Sequence, residues 1–363
     1  MPKASLKEMF HFGQELGRGS FATVILATDR RPRPPGEPPT KYAMKVIDKA
    51  KCRGYEDHIV KEITILKQIN HKNIIKLHEC FETKDRLYLQ MEYVDGGELF
   101  DRILNLGYYC EDDARNIVTD TLEAVQYLHA QNVVHRDLKP ENLLMSSNSP
   151  TAEIKLADFG LSTFITQDNM LKTACGTLTY VAPEILAGKR YGKPVDMWSI
   201  GIIAYILLSG YPPFWAEEEA TILDLMLKAK FTFPSPDWDE ISSCAKDFIR
   251  QLLQPDVAKR LTAEQALSHS WIIHGRKPLA PVEDGTHERV NLRERVGGNL
   301  RKHFNARRML KVGLDTVFAV NALSTMGKLR SPSGEKSPVF DTPTVLPKDE
   351  ENLQEKEVPG DLG

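Results

Sequence analysis

The chain has 363 residues, 41% of them hydrophobic, with 47 basic against 50 acidic side chains and a formal net charge of −3. That length allows one large core or two smaller ones with residues to spare for a tail, and the charge balance argues against nucleic acid as the main partner of the whole chain, a local basic patch aside. Five scattered cysteines (Cys52, Cys80, Cys110, Cys175, Cys244) form no C-x-x-C pair, which speaks against disulfides and zinc and for a reducing compartment.

Residues 1–11, MPKASLKEMFH, form an N-terminal extension without an apolar signal segment, so a soluble chain is expected in the cytoplasm, with the nucleus left open. From Phe12 to Val94 the pattern predicts strands: FGQELG, FATVILATD, YAMKVI and LYLQMEYV are short β-branched or aromatic runs divided by turn residues. LGRGSFATV, from Leu16, is a glycine-rich turn in which Gly17 and Gly19 would let backbone N–H groups approach a phosphate. A dinucleotide fingerprint needs a helix and a third glycine after that turn, whereas here a strand follows and Ala22 takes the place. RRPRPPGEPPT, from Arg30, carries five prolines and is expected to be a surface insertion between strands. AMK then puts Lys45 inside an apolar strand. The next segment, DHIVKEITILKQI, spaces Ile59, Ile63, Leu66 and Ile69 as on a helix. Glu62 is expected on the face opposite that stripe, paired with Lys45 so that the ammonium faces phosphates at the glycine turn.

From Gly97 onward helices dominate, ARNIVTDTLEAVQYLH and AKDFIRQLL repeating apolar residues at three-four spacing. MWSIGIIAYILL, from Met197, is too short to span a bilayer and is expected as a buried core helix. The helical region ends near Trp271. VVHRDLKPENLL, Val133–Leu144, interrupts it with polar residues set between apolar runs, a poor recipe for helix or strand. A loop that gathers Asp137, Lys139 and Asn142 suits phosphoryl transfer, which needs a carboxylate to orient a hydroxyl, a cation for the γ-phosphate and oxygen ligands for Mg2+. IKLADFGL puts Asp158, with Phe159 and Gly160, on the next turn as a further hard oxygen ligand. APE follows at Ala182–Glu184. The composition of 325–363, rich in Ser, Pro, Lys and Glu, predicts a disordered tail.

In order and spacing, the glycine turn, strand lysine, helix glutamate, HRD loop with its asparagine, DFG and APE resemble the protein-kinase signature set. The resemblance covers residues 12–271. It implies an α+β, bilobal protein-kinase fold with a small β-rich N-lobe (12–94), a larger α-helical C-lobe (97–271), and ATP and Mg2+ as cofactors. By the same resemblance Leu16, Gly17, Gly19, Val24, Ala43, Lys45, Glu62, Glu92, Val94 and Glu98 contact ATP, while Asp137, Lys139 and Asn142 are catalytic. Asn142 and Asp158 would hold the metal, His135 and Asp196 would brace the catalytic loop, and Glu184 would pair with Arg260. Lys139 within DLKPEN is similar to serine/threonine kinases. Glu98, in GGELF, and Glu141 resemble an acidic pair that reads arginine in basic protein substrates, with ribose contact the alternative for Glu98. Thr177 resembles the threonine that bonds near the catalytic aspartate. Thr173, in KTACGT, resembles the site that an upstream kinase phosphorylates in type I and IV calcium/calmodulin-dependent kinases, where Arg136 could receive the phosphate.

The stretch NLRKHFNARRMLKVGLDTVFAV, from Asn299, sets Leu310, Leu314, Val317 and Phe318 on one helical stripe behind a basic N-terminal half. Such a helix is membrane-surface or calmodulin-target-like. FNARRMLKVG resembles the regulatory segment of calcium/calmodulin-dependent kinases. That implies an autoinhibitory, calmodulin-binding segment at 286–320 with Phe304, Arg307, Arg308, Leu310, Leu314 and Phe318 as contacts. Gly297 and Gly298 stand where the type II members carry their autonomy threonine, so a monomer controlled like type I is expected, without nucleic acid or membrane as partners. The alternatives are a calmodulin-independent Ser/Thr kinase with a docked tail helix, and a nucleotide-binding scaffold.

Overall fold

The computed structural model describes residues 5–18, 22–34, 36–52, 56–149, 151–159, 163–164, 178–275 and 290–303. They fall into two units, one holding the described residues up to Glu56 with Leu77–Tyr93, the other Asp57–Lys76 and the described residues from Val94 onward. The first unit is a five-stranded antiparallel sheet entered through a single helical turn, α1 (Leu6–Met9). Its strands are β1 (Phe10–Arg18), β2 (Ala22–Asp29), β3 (Lys41–Asp48), β4 (Leu77–Glu82) and β5 (Arg86–Glu92), in the order β1-β2-β3-β5-β4. Alternation decides what each face carries. Phe10, Ala27, Met44 and Val46 close one face into a core, edged by Phe12, Ile25, Tyr42, Phe81 and Tyr88. In the registers Val24↔Lys45, Leu26↔Ala43 and Lys45↔Leu89, Val24, Ala43 and Lys45 share the other face. The sequence pattern missed β4, because LHECFE lacks an apolar alternation.

The second unit begins inside α2 (Glu56–Gln68), at its second residue, and α2 is tied down by the turn that follows it: the Asn70 N–H donates to Tyr127 Oη at 2.9 Å and the Asn73 amide to the Ile154 carbonyl at 3.0 Å. After α3 (Leu99–Asn105) comes α4 (Glu111–Ala130), whose first turn carries Glu111, Asp112 and Asp113 where a helix N-terminus favours negative charge. The Asp113 carboxylate accepts the Cys110 N–H at 2.8 Å, and the buried positions Ala114, Val118, Leu122, Val125 and Leu128 keep the helical period. Two short ladders, β6 (Val133–Val134) with β9 (Thr163–Phe164) and β7 (Leu143–Met145) with β8 (Ile154–Leu156), carry the chain past α4. Then follow α5 (Pro183–Leu186), α6 (Pro194–Ser209), α7 (Glu219–Leu227), α8 (Ser243–Leu252), α9 (Ala263–Leu267) and α10 (Ser270–Gly275). As expected, α6 is a core helix: every residue from Val195 to Ser209 is buried, with proline at its start and left-handed Gly210 at its end. Against it lies α8, capped by Ser242 and burying Ala245, Phe248, Ile249 and Leu252. Among the described residues no helix is long and apolar enough to cross a membrane.

A last helix, α11, spans 293–303 and packs on the second unit. Leu292, Val296 and Leu300, four residues apart, are 1%, 0% and 2% exposed. The Leu292 N–H donates to the Tyr109 carbonyl at 2.7 Å, the Arg293 guanidinium to the Leu106 carbonyl, and the Asn299 amide to the Ser209 carbonyl at 2.8 Å. Gly210, at φ +83°, makes the close approach possible, since a Cβ there would stand 2.5 Å from the Val296 carbonyl oxygen. Part of the basic stretch singled out in the sequence, up to His303, is therefore a docked helix, with the His303 ring 5.8 Å from those of Tyr211 and Trp215. The calmodulin-contact candidates Phe304, Arg307, Arg308, Leu310, Leu314 and Phe318, and the tail 325–363, lie outside the described residues.

Candidate active site

The catalytic loop hangs between α4 and the β7–β8 ladder. After Ala130 the chain reverses at Asn132 (φ +58°), buries Val133 and Val134, crosses His135–Lys139, and enters a single turn at Pro140–Asn142 that leads into β7. The register Leu143↔Leu156 brings the ends of two segments together, and the Ala157 N–H donates to the Asn142 carbonyl at 2.8 Å. Asp158, exposed and at φ +60°, is the next residue, followed by Phe159, buried with its ring 5.0 Å from that of His135.

Asp196, in the first turn of α6 and 1% exposed, fixes this backbone. Its Oδ2 accepts the His135 N–H at 3.0 Å and meets His129 Nε2 at 2.8 Å, while Oδ1 accepts the Arg136 N–H at 2.8 Å. Arg136 sits at φ +71°, a left-handed conformation that an arginine keeps only when its surroundings over-determine it. Burial pushes the Asp196 carboxyl up, but the His129 hydrogen bond, the neighbouring imidazoles and the Arg136 N–H outweigh it and leave it below the usual range. Burial holds His135 below the ordinary imidazole value. Each hydrogen bond to such a charge contributes about 1.5–3 kcal/mol, which is what a buried carboxylate needs against its desolvation.

On this braced backbone the polar side chains meet. Lys139 Nζ donates to Asp137 Oδ2 at 2.6 Å, and the Asn142 amide donates to the Asp137 carbonyl at 2.8 Å and to Oδ2 at 3.4 Å. Burial pulls Lys139 down, yet the Asp137 charge and hydrogen bond more than offset it, so the ammonium is held above its usual value. The result is an oriented carboxylate beside a fixed cation. With its N–H groups turned on Asp137, Asn142 has an amide oxygen to offer. With the Asp158 carboxylate beyond the same ladder, that makes an oxygen-only donor set suited to a hard divalent cation. Behind the loop, Glu184 and Arg260 form the expected buried pair at 2.7 and 2.9 Å, and Arg260 also donates to the Pro194 carbonyl at 2.8 Å, tying α5 to the start of α6.

The second unit also holds Val94, Glu98 and Glu141. Glu98 precedes α3 and pairs through its backbone with Leu144, three residues past Glu141. Leu16, Gly17, Val24, Ala43, Lys45 and Glu92 belong to the first unit. One expectation is overturned: Glu62 does not lie opposite the apolar stripe of α2. It is 7% exposed and shares its face with Ile65, Leu66 and Ile69, because positions three, four and seven residues apart align on a helix, while Ile63 is only half-buried. Gly19, Gly160, Thr173 and Thr177 lie outside the described residues. Sequence reasoning missed His129 and Tyr191, whose hydroxyl accepts from Arg136 Nη1 at 3.3 Å. The signal for His129 was its place one turn before the HRD loop, on the buried face of α4.

Residues 10–272 match the family model described as protein kinase domain. A calcium/calmodulin-dependent protein kinase type 1 of Macrobrachium nipponense is 52% identical over 257 residues, 71% of this chain and 73% of its own. A myosin light chain kinase A of Dictyostelium discoideum is 48% identical over 268 residues (74% and 89%), and a calcium/calmodulin-dependent protein kinase type 1B of Homo sapiens 48% over 267 (74% and 76%). The chain thus belongs to the protein kinase family, as a serine/threonine kinase of the calcium/calmodulin-dependent type. Its fold is the α+β, bilobal kinase fold, and its domain implies ATP and a divalent metal ion as cofactors.

Proposed function

We propose that this kinase phosphorylates serine or threonine in proteins with basic motifs, that its metal is Mg2+, and that residues 286–320 hold it inactive until Ca2+-loaded calmodulin takes them up. Phosphorylation of Thr173 by an upstream kinase is the second input. The observation that carries the catalytic part is the Asp137–Lys139–Asn142 set, hydrogen-bonded on a backbone pinned by Asp196. Asp137 orients the substrate hydroxyl and receives its proton, and Lys139 offsets charge on the transferring phosphoryl group. Asn142 and Asp158 hold the metal, which when bound neutralises the phosphate oxygens. Lys45, paired with Glu62, steadies the α- and β-phosphates. Gly17 and Gly19 admit the phosphates, and Leu16, Val24, Ala43, Glu92 and Val94 complete the nucleotide contacts. Glu98 and Glu141 read the basic residue of the substrate, and Thr177 bonds beside Asp137.

Support for calmodulin control comes from the names of the relatives and from the basic, apolar-striped sequence that follows α11. A second reading, a kinase whose tail is a fixed docking helix without calmodulin, draws on the packing of α11 itself. Phosphorylation of an arginine-containing serine peptide separates them, assayed with and without Ca2+-calmodulin for the full chain and for chains ending at Glu294 and at His303. Low activity that rises with Ca2+-calmodulin and becomes constitutive in both shortened chains supports the first. Equal activity under all conditions leaves the second.

A further inference from the structure

We propose that the Arg30–Thr40 connection is a docking element for a partner domain with an aromatic-lined groove that reads polyproline II backbone. β2 and β3 are antiparallel neighbours, and roughly two to five residues suffice for such a hairpin. The chain instead runs RRPRPPGEPPT, five prolines among eleven residues, and none of the residues assigned to phosphoryl transfer lies in it.

Steric chemistry fixes the outgoing limb. Proline holds φ near about −65°, and a residue before proline is pushed from the helical region to extended or polyproline II backbone. Arg31, Pro32, Arg33 and Pro34 are each a proline or followed by one. The chain then turns through Gly36 at φ +93°, with the Glu37 N–H donating to the Pro34 carbonyl at 3.3 Å. Two arginines tie the hairpin down. Asp29, 8% exposed at the end of β2, accepts the Arg31 backbone N–H at 2.8 Å, Arg31 Nε at 3.1 and 3.0 Å, and Nη2 at 2.8 Å. The Arg31 guanidinium also lies 5.5 Å from the centre of the Phe10 ring. Arg33 bridges the two limbs, donating to the Asp29 carbonyl at 3.0 Å and to the Pro38 carbonyl at 3.4 Å, and the Asp29 N–H closes the base on the Thr40 carbonyl at 2.9 Å.

With both guanidinium groups drawn back to the sheet, Pro32, Pro34, Pro38 and Pro39 are all exposed, sharing the outward surface with Gly36, Glu37 and Thr40. Prolines carry no N–H, and the N–H groups of Arg30, Arg31 and Glu37 already bond within the unit. A partner that adds a strand finds too few donors here. Ring ridges, with the carbonyls of Pro32 and Pro39 beside the already bonded ones of Pro34 and Pro38, are instead what a groove of Tyr and Trp takes, packing the rings and donating phenol or indole hydrogens to the carbonyls. Exposed Arg30 supplies a cation at the edge for an acidic rim. Because the cross-ties already hold the loop, binding loses little conformational entropy.

The test titrates the purified full chain into isolated SH3, WW and EVH1 domains and follows their tryptophan fluorescence. At least one class should bind with a Kd on the order of 10–100 µM. Joint substitution Pro32→Ala, Pro34→Ala, Pro38→Ala and Pro39→Ala should weaken that binding at least about tenfold, leaving peptide phosphorylation and Tm at the parent values. The tail's own prolines stay intact in that variant and so serve as the control. Arg33→Ala and a free peptide of residues 29–41 should each bind several-fold more weakly than the folded chain, through lost preorganisation. No binding by any of the three classes at about 1 mM, or equal binding by the four-alanine variant, overturns the proposal. A free peptide as tight as the folded chain overturns the role of the cross-ties.

Discussion

Asp196 touches no reacting group, yet two backbone N–H groups and an imidazole converge on its carboxylate. Asp196→Ala leaves those donors buried without an acceptor and should lower stability by about 3–5 kcal/mol, read from thermal or urea denaturation. On the role proposed for Asp137, Asp137→Asn keeps the fold and lacks the carboxylate that takes the substrate proton; kcat for the serine peptide should fall at least about a hundredfold with KM little changed. One buried and one half-buried aspartate give opposite pH signatures. The Asp196 carboxyl is lower in the folded chain, so its contribution is present above the unfolded carboxylate value and is lost as pH falls through the folded one. Asp120 is pushed up to about 6, first by burial and then by Glu153 and Glu123, against the Ile154 N–H and Lys72. Its charge therefore destabilises the fold above that pH, and the penalty fades as pH drops from about 6 toward the unfolded value near 4. Asp120→Asn, whose amide oxygen can still accept the Ile154 N–H, should be more stable than the parent at pH 7.5 by about 1–3 kcal/mol and equal to it near pH 4. A parent advantage at pH 7.5 would refute that sign.

At the scale of elements, chemistry proved easier to read than packing. The meeting of Asp137, Lys139 and Asn142 was legible in a polar run set between apolar ones, and the Glu184–Arg260 pair in the resemblance. α4, α6 and α8 were legible from period and hydrophobicity alone. β4 was not, since its side chains HECFE carry no alternation, and Glu62 was misplaced because a stripe drawn through Ile63 competes with the one through Ile65. The docking of α11, left in the sequence as the alternative of a docked tail helix, rests on Leu292, Val296 and Leu300 rather than on its basic residues. Gly210→Ala tests that docking. The new Cβ would need a positive φ and would meet the Val296 carbonyl and Asn299 Cβ at 2.5 and 2.6 Å. Stability should fall by about 1–3 kcal/mol, and amide exchange should rise in 293–303. Unchanged protection there would mean that α11 docks without the close approach.

Across the whole molecule, the small sheet carries Lys45 and the helical unit carries Asp137, Lys139 and Asn142, so the residues proposed for the chemistry are distributed over units that each carry stability of their own. Shortening the chain separates the two. A chain ending at His303 retains Val296 and Leu300 against the second unit, and one ending at Glu294 loses both. The shorter should melt several degrees lower, each buried aliphatic side chain being worth about 1.5–3 kcal/mol, while phosphorylating the peptide at a similar rate. The helix α6 carries a further consequence, for synthesis rather than for the finished enzyme. It has no polar face, and among the elements packed on it α8 and α11 lie later in the chain. As the ribosome delivers residues in order, α6 emerges with α4 to pack on but with part of its apolar surface open until those covers have been translated. Chaperone capture of nascent chains should therefore concentrate between the appearance of Ser209 and that of Leu300, then fall once the helix is enclosed.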